Sequence, residues 1–593
     1  MKTRYISIVL IAIMNIALGI FWRGIIELNP TGYQLNVYSQ LGIDVIFGFL
    51  VIFTTSMVLH RLTDNRIHKS VYLGIFLITY FTILLSPRFL GYYLMDRGDS
   101  LQSVGYIRTI LLSGHTDKLD IYPAHWIVLG IVKILSGLSL DDVILLSIVV
   151  NNFVYVLFFL IFSNKFNVEL LVYFGFGFLL EYYHETIIAE YFAYVLNLVI
   201  VYLLLKVYPK LYKGIRLVLT IFLVTTIFAH PFIAFFNLGL LILLYLSTKL
   251  TNVIPREGTY SRVLLVYSIV LVVWISWQRL LISDVVSIPL FIKEMVIFKQ
   301  LSYSISTTGT STFDLLKYSI VRYWSQIWLY VITLTILILF IKTLKNVLLK
   351  RNINRAISPN LFSLLLALWS LVFTGALFLM KHGYDRILGL NFMIIGAVVL
   401  ISELYPQGIT YKWQHIISLI SILILSISVF GLFYSPLIGM PNIGITYGEL
   451  TGVKFALVHL DNNSKIIDPI GEASRWSTWR YGYSKTFTIK KILYLYKLPD
   501  HFGYMNVTCF VNNGYIERIE HDIFGYTTKY KYNYTKLLVV VPDYPIRMYE
   551  EAPLFRRVKR FTYEDENRLR SDYSVDLVYI GANLRVYRPI SCN

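Results

Sequence analysis

Residues 86–142 read SPRFLGYYLMDRGDSLQSVGYIRTILLSGHTDKLDIYPAHWIVLGIVKILSGLSLDD. The runs on either side are apolar enough to sit in a bilayer, and this one is not. It carries Asp96, Arg97, Asp99, Arg108, His115, Asp117 and His125, with two amphipathic segments between them. A polar insert of this size reads as a loop that bears chemistry on a scaffold of membrane helices. From Asp99 onward, Leu101, Val104, Ile107, Ile110 and Leu111 stand mostly three or four apart with Arg108 opposite. That spacing predicts a helix lying in the membrane interface with Asp99 near its N-terminus. A carboxylate there is favoured by the helix dipole and stays ionised. Gly114 then ends the helix. Tyr122-Pro123-Ala124-His125 opens a second amphipathic segment over residues 126–135, with Pro123 in its first turn.

Working outward, the 593-residue chain is 56% hydrophobic and 15% charged, against about 25% charged in a typical globular domain. Mean hydropathy is +0.63. These values exclude a string of soluble domains and point to a polytopic α-helical membrane protein. The net charge of +18 would raise nucleic acid as a partner of a soluble protein. Here the excess Lys and Arg fall in short loops between apolar runs, as the positive-inside rule requires, so no nucleic-acid partner is expected.

A span needs ~20 apolar residues. On that rule about thirteen are expected, near 4–22, 41–60, 71–87, 141–162, 167–181, 187–207, 216–230, 231–248, 262–282, 319–341, 360–380, 387–404 and 415–434. Residues 1–22 read as the first span rather than a cleavable signal. The basic loops 61–70, 206–216, 249–262 and 342–355 then share a side with Lys2 and Arg4. This predicts a cytoplasmic N-terminus in the cell membrane, and places loops 86–142 and 281–318 and everything after Tyr434 outside. The three N-x-S/T triplets, at Asn462, Asn506 and Asn533, all follow Tyr434.

Residues 1–434 are thus expected to form the transmembrane bundle and residues 435–593 a small extracytoplasmic α/β or α+β domain. In the latter, residues 536–541 read as a strand before a turn at Pro542-Asp543, 549–561 as a helix, and 575–587 as a hairpin around Gly581-Ala582-Asn583. Both cysteines, Cys509 and Cys592, lie there. They form either a disulfide, which that compartment permits, or two buried thiols. No CxxC or HExxH spacing is present.

Ionisable groups near a bilayer are costly and tend to have a task. Three clusters share the predicted side of Asp96 and Asp99: Glu181, His184, Glu185 and Glu190; His230 before Pro231; and Lys381, His382, Asp385 and Arg386. Plainer readings stand beside these. Lys381 and Arg386 can anchor a helix end by snorkelling, His230 can pack in a turn, the glutamates can be solvated, and one of Asp96 and Asp99 can be structural. The coincidence on one face raises them as a set.

The run Gly98-Asp99, Arg108-Thr109-Ile110, Gly114-His115, Tyr122-Pro123-Ala124-His125, His230-Pro231-Phe232 and Tyr384-Asp385-Arg386 resembles the GT-C class of membrane glycosyltransferases, and more closely archaeal multi-pass members of it. The resemblance implies transfer of a sugar from a polyprenyl-phosphate donor to a glycan, lipid or protein acceptor on the outer membrane face. It implies a general base at Asp99 first and Asp96 second, with inversion at the sugar carbon. Arg386, Lys381 and His230 would hold the donor phosphate. His125, Tyr122, Arg108, Glu185 and His184 would position acceptor or substrate. In the class pattern a histidine often follows the aspartate by four positions; here Ser103 holds that place. No cofactor is expected, and Asp96, Asp99 and Glu185 are the acids a divalent metal would use if one assisted.

Two other readings compete. A transporter or lipid flippase would need charges and broken helices at mid-membrane, for which Asp44, Glu190 and Asn197 are the few candidates. A non-catalytic anchor for a cell-surface assembly would work through its C-terminal part. Truncation after Tyr434 is expected to separate enzyme from anchor, the enzyme keeping its lipid-sugar binding.

Overall fold

The computed structural model describes residues 2–116, 120, 122–166, 184–207, 213–250, 259–277, 360–379, 426–459, 465–482, 515–521, 527–533, 537–552, 561–572, 575–581 and 583–589, with isolated positions at 338, 392, 394–396, 398–399, 419, 422–423 and 555. The apolar runs form α1 (Lys2–Ile26), α2 (Val37–Leu62) and α3 (Arg66–Phe89). Asn36 and Asn65 cap the second and third by accepting the N–H of Tyr38 and Ile67. After α3 come a short strand, β1 (Tyr92–Leu94), and two helices, α4 (Asp99–Ser113) and α5 (Pro123–Ser136). Each helix ends on a left-handed glycine, Gly114 and Gly137. The bundle resumes with α6 (Leu140–Phe166), α7 (Ala189–Val207), α8 (Lys213–Ala229), α9 (Pro231–Leu250), α10 (Thr259–Trp277) and α11 (Asn360–Leu379).

These helices coincide with the expected spans near 4–22, 41–60, 71–87, 141–162, 187–207, 216–230, 231–248, 262–282 and 360–380. The spans near 167–181 and 319–341 fall almost wholly outside the described residues, as does most of 387–404; of 415–434, positions 419, 422–423 and 426–434 are described. Among the described residues, five helices are long and apolar enough to cross a membrane: Tyr5–Ile26, Val37–Leu62, Arg66–Phe89, Leu140–Phe162 and Tyr260–Trp277. Their outer faces carry exposed apolar side chains, such as Ile8 and Ile16 on α1 and Leu265 and Val272 on α10. In water such faces would be a liability; against lipid they are the expected surface.

The C-terminal part is built differently. β2 (Ile445–Thr446) leads into α12 (Tyr447–Val458), then β3 (Lys465–Ile467) and α13 (Ala473–Tyr481). β4 (Tyr515–His521) and β5 (Thr527–Asn533) pair as an antiparallel ribbon. Then follow β6 (Leu537–Pro542), α14 (Asp543–Glu551), α15 (Tyr563–Ser571), β7 (Val575–Ile580) and β8 (Leu584–Pro589). A four-stranded sheet has the order β3-β6-β8-β7, with β3 parallel to β6 and the other pairs antiparallel. The helix expected over 549–561 begins earlier and ends at Glu551. Extended Pro542 starts it, Asp543 suits the positive helix end, and Pro545 sits in the first turn, where no N–H is needed.

The core crosses the expected boundary at residue 434. β1 of the early loop pairs antiparallel with β2, Tyr92 opposite Thr446. Tyr93, Leu94, Leu101 and Val104 share one buried cluster with Leu450, Val453, Trp476, Trp479, Val540 and Val586. So α4 does not lie open in the interface as its spacing predicts. Its apolar stripe is roofed by α13, while Ile107 packs beneath on Trp126 and Leu129 of α5. Periodicity identified the buried stripe but not what buries it. α5 does expose an apolar face, at Ile127, Ile131, Ile134 and Leu135.

Candidate active site

Asp96 and Asp99 stand three residues apart in opposite circumstances. Asp96 is buried, and both of its carboxylate oxygens are taken: Oδ1 accepts the Gly98 N–H at 2.8 Å and Oδ2 the Ser100 N–H at 2.7 Å. Gly98, which precedes the first turn of α4, has no side chain with which to cap it, so Asp96 supplies the cap. Burial, then the Asp99 charge, push the Asp96 carboxyl above its usual range, against the pull of those N–H groups. Asp99 is the first residue of α4; its side chain is exposed and accepts no hydrogen bond from the described residues. Arg475 of α13 reaches the same corner, and its Nη1 lies 3.3 Å from where a Cβ on Gly98 would stand. Ser103 is not available to replace a histidine, because its hydroxyl donates to the Asp99 carbonyl at 2.7 Å.

Arg97, between the two acids, points the other way. Its guanidinium is buried between Glu449 and Glu472. Nη1 donates to both, at 3.0 and 2.9 Å, and Nη2 donates to Glu449 at 3.1 Å and to the Gly444 carbonyl at 2.9 Å. The Tyr544 ring covers it at 3.9 Å. Burial pushes Glu449 up to about 7, with Arg97 opposing, and raises Glu472 in the same way. Burial alone would lower Arg97, but Glu449 and Glu472 outweigh it. This buried charge cluster fixes the early loop to the C-terminal part. Truncation after Tyr434 would remove Gly444, Glu449 and Glu472 together, so it does not separate an enzyme from an anchor: either would lose its loop geometry.

The histidines fall into three settings. His125 is fully buried, stacked on Phe192 at 4.6 Å with the Ser147 hydroxyl 3.5 Å from its Nε2, and burial lowers it to about 3, so its ring is neutral. His184 is buried and held by Asn152, whose Oδ1 is 2.6 Å from its Nδ1, with Tyr191 donating to the same oxygen at 2.8 Å. His230 opens α9 stacked on Tyr122 at 5.1 Å. Glu185 is 1% exposed, and neither carboxyl oxygen has a hydrogen-bond partner. Burial lifts it to about 8, with Arg88 pulling the other way. Two residues on, the Ile187 N–H meets the Ser100 hydroxyl at 3.4 Å. Loop 86–142, segment 184–188 and His230 thus meet at one end of the bundle. Among the described residues no three His, Cys, Asp or Glu side chains group as metal ligands, so Asp96, Asp99 and Glu185 do not form a metal-binding triad.

Arg108 lies 5.5 Å over the Trp479 ring of α13. Lys381, Arg386, Cys509 and Cys592 lie outside the described residues. Glu449, Glu472 and Arg475 escaped the sequence reading, in which Arg97 was named but given no role. The one local signal was Thr446-x-x-Glu449, which reads as a helix start. Thr446 does accept the Glu449 N–H at 3.1 Å. Nothing in that pattern says that the glutamate side chain turns to an arginine 352 positions away. Chemically, the corner offers an exposed carboxylate that can take a proton and, close to Gly98, a guanidinium that can draw an anion.

No family model and no curated protein matches the chain. Among solved structures, the crystal structure of ArnT from Cupriavidus metallidurans in the apo state aligns over 88% of this chain and 98% of its own, at 11% identity and a TM-score of 0.40. At that score the similarity adds no argument to the geometry.

Proposed function

We propose that the chain is a membrane glycosyltransferase of the GT-C type, moving a sugar from a polyprenyl-phosphate donor to an acceptor at the outer membrane face. The observation that carries the reading is the contrast at the start of α4. Asp96 is used up as a cap, whereas Asp99 presents a free, exposed carboxylate. Asp99 takes the proton of the acceptor group as that group bonds the sugar carbon. The bond from carbon to phosphate oxygen breaks with inversion, and the phosphate leaves with its charge. Tyr122 and His230 line the same end of the bundle. Lys381 and Arg386 complete the proposal as cations for the donor phosphate. The cytoplasmic N-terminus and an extracytoplasmic C-terminal part belong to the same proposal.

The test uses membranes holding the full chain and a radiolabelled polyprenyl-phosphate sugar. Asp99→Asn is expected to lower transfer by about a hundredfold or more at unchanged protein level. Asp96→Asn is expected to reduce the amount of folded protein instead. Unchanged transfer by Asp99→Asn would remove the reading.

A further inference from the structure

α4 and α13 pack closely, because a Cβ on Gly105 would collide with the Thr478 backbone oxygen and its methyl carbon. Gly98 faces Arg475 at one end of this seam, and Thr109 meets Gly482 at the other. The close approach brings Arg108 of α4 and Arg480 of α13 to the same end, where the Arg480 guanidinium lies 5.9 Å over the Tyr481 ring. Arg108 lies over the Trp479 ring and Arg480 is the next residue along α13. Both are half-buried, and both have a buried Nε–H with no acceptor. Neither makes an ion pair among the described residues. Asp141, the acid whose charge acts on Arg108, is exposed and accepts the Tyr93 hydroxyl at 2.9 Å. Burial first, and the Arg480 charge with it, lower the Arg108 guanidinium, which Tyr93 and Asp141 only partly offset. Two like charges held together with unused donors are a cost that an anion would relieve.

We propose that Arg108 and Arg480 form a phosphate-ester site on the α4–α13 seam. It does not rest on the proposed transfer reaction. Arg108 is nine residues beyond Asp99, about 13 Å along the helix axis. A phosphate there is too far away to be the one leaving a sugar carbon attacked beside Asp99, since reacting atoms approach to about 3–3.5 Å. The neighbouring α5 carries the exposed apolar face of Ile127, Ile131 and Ile134, which sets the seam at the level of lipid headgroups. The ligand is therefore a phosphate monoester or diester, from either a lipid or a soluble molecule.

The full chain, purified in neutral detergent, would be melted in chloride and in inorganic phosphate at equal ionic strength. It would also be melted in bilayer discs of phosphatidylcholine with and without phosphatidylglycerol. Wild type is expected to melt higher with phosphate, with phosphatidylglycerol, or with both; the responding arm identifies the source. Arg108→Gln and Arg480→Gln are expected to lose that response, weakening phosphate binding about tenfold or more. In chloride they are expected to melt no lower than wild type, because a repulsion has been removed. Arg66→Gln, an exposed arginine on α3, should respond as wild type does. No response in wild type, an equal response in the Arg108 and Arg480 variants, or an equal loss in Arg66→Gln would each overturn the site. A response lost only alongside lower melting in chloride would also overturn it, since the arginines would then be structural.

Discussion

Glu185 has lost its water and found no hydrogen bond, and the consequence is a pH dependence with a definite sign. Its carboxyl is raised from 4.5 to about 8 by burial, so the folded state holds a proton that the unfolded state releases. The stability this gives is fully present below about pH 4.5 and is lost as pH rises through about 8. Up to about 5 kcal/mol is at stake in that window. Glu185→Gln keeps the shape and has no proton to lose. Its melting temperature is expected to stay flatter from pH 5 to 9 and to exceed that of wild type at the alkaline end. Superimposable profiles would show that Glu185 is ionised without penalty. Asp96 shows the opposite fate for a buried acid, since its oxygens are matched one to one by backbone N–H groups. The sequence put Asp99 before Asp96, but spacing could not show that Asp96 is consumed as a cap. The difference lies in the backbone around Gly98, which leaves the α4 terminus without a cap of its own.

At the scale of elements, the α4–α13 seam depends on one missing side chain. Gly105→Ala is expected to force the helices apart and cost about 1–3 kcal/mol, read as a lower melting temperature of the purified chain. Gly130 of α5 makes a useful comparison, since a Cβ there meets Ile110 at an ordinary 3.4 Å; alanine at that position should be nearly silent. A Gly105→Ala protein as stable as wild type would mean that the seam has slack. The helices themselves were readable because an apolar run near the length of a bilayer has few other fates, as residues 37–62 illustrate. The roof over α4 was not readable. Leu101, Val104 and Ile107 have the same spacing whether they face lipid or Trp476, and only the tertiary fold decides.

For the whole molecule, the loop and the C-terminal part make a single core, held by β1–β2 pairing and by Arg97 between two glutamates. Removing one side of a buried ion cluster typically costs about 3–5 kcal/mol. A cysteine at position 104, introduced with Cys509 and Cys592 replaced by serine, should therefore resist thiol labelling in the full chain. It should label readily in a chain cut after Tyr434. Equal protection in both would show that the loop holds its fold unaided. Charge and hydropathy gave the membrane class, but pairings across hundreds of residues leave no periodic trace. That is why Asp99 was given a role from its helix, whereas Arg97 was named without one.

The Arg97 cluster also has a meaning in time. Glu449 follows Arg97 by 352 positions. At about 5–20 residues per second of synthesis, the arginine waits on the order of 20–70 s for its partner to be made. Throughout that interval the loop carrying Asp99 has no roof: α5 can pack beneath Ile107, but α13 is not yet made. The order of translation thus makes the loop a late-maturing part of the early chain, and the emergence of α12 and α13 becomes the event that closes it.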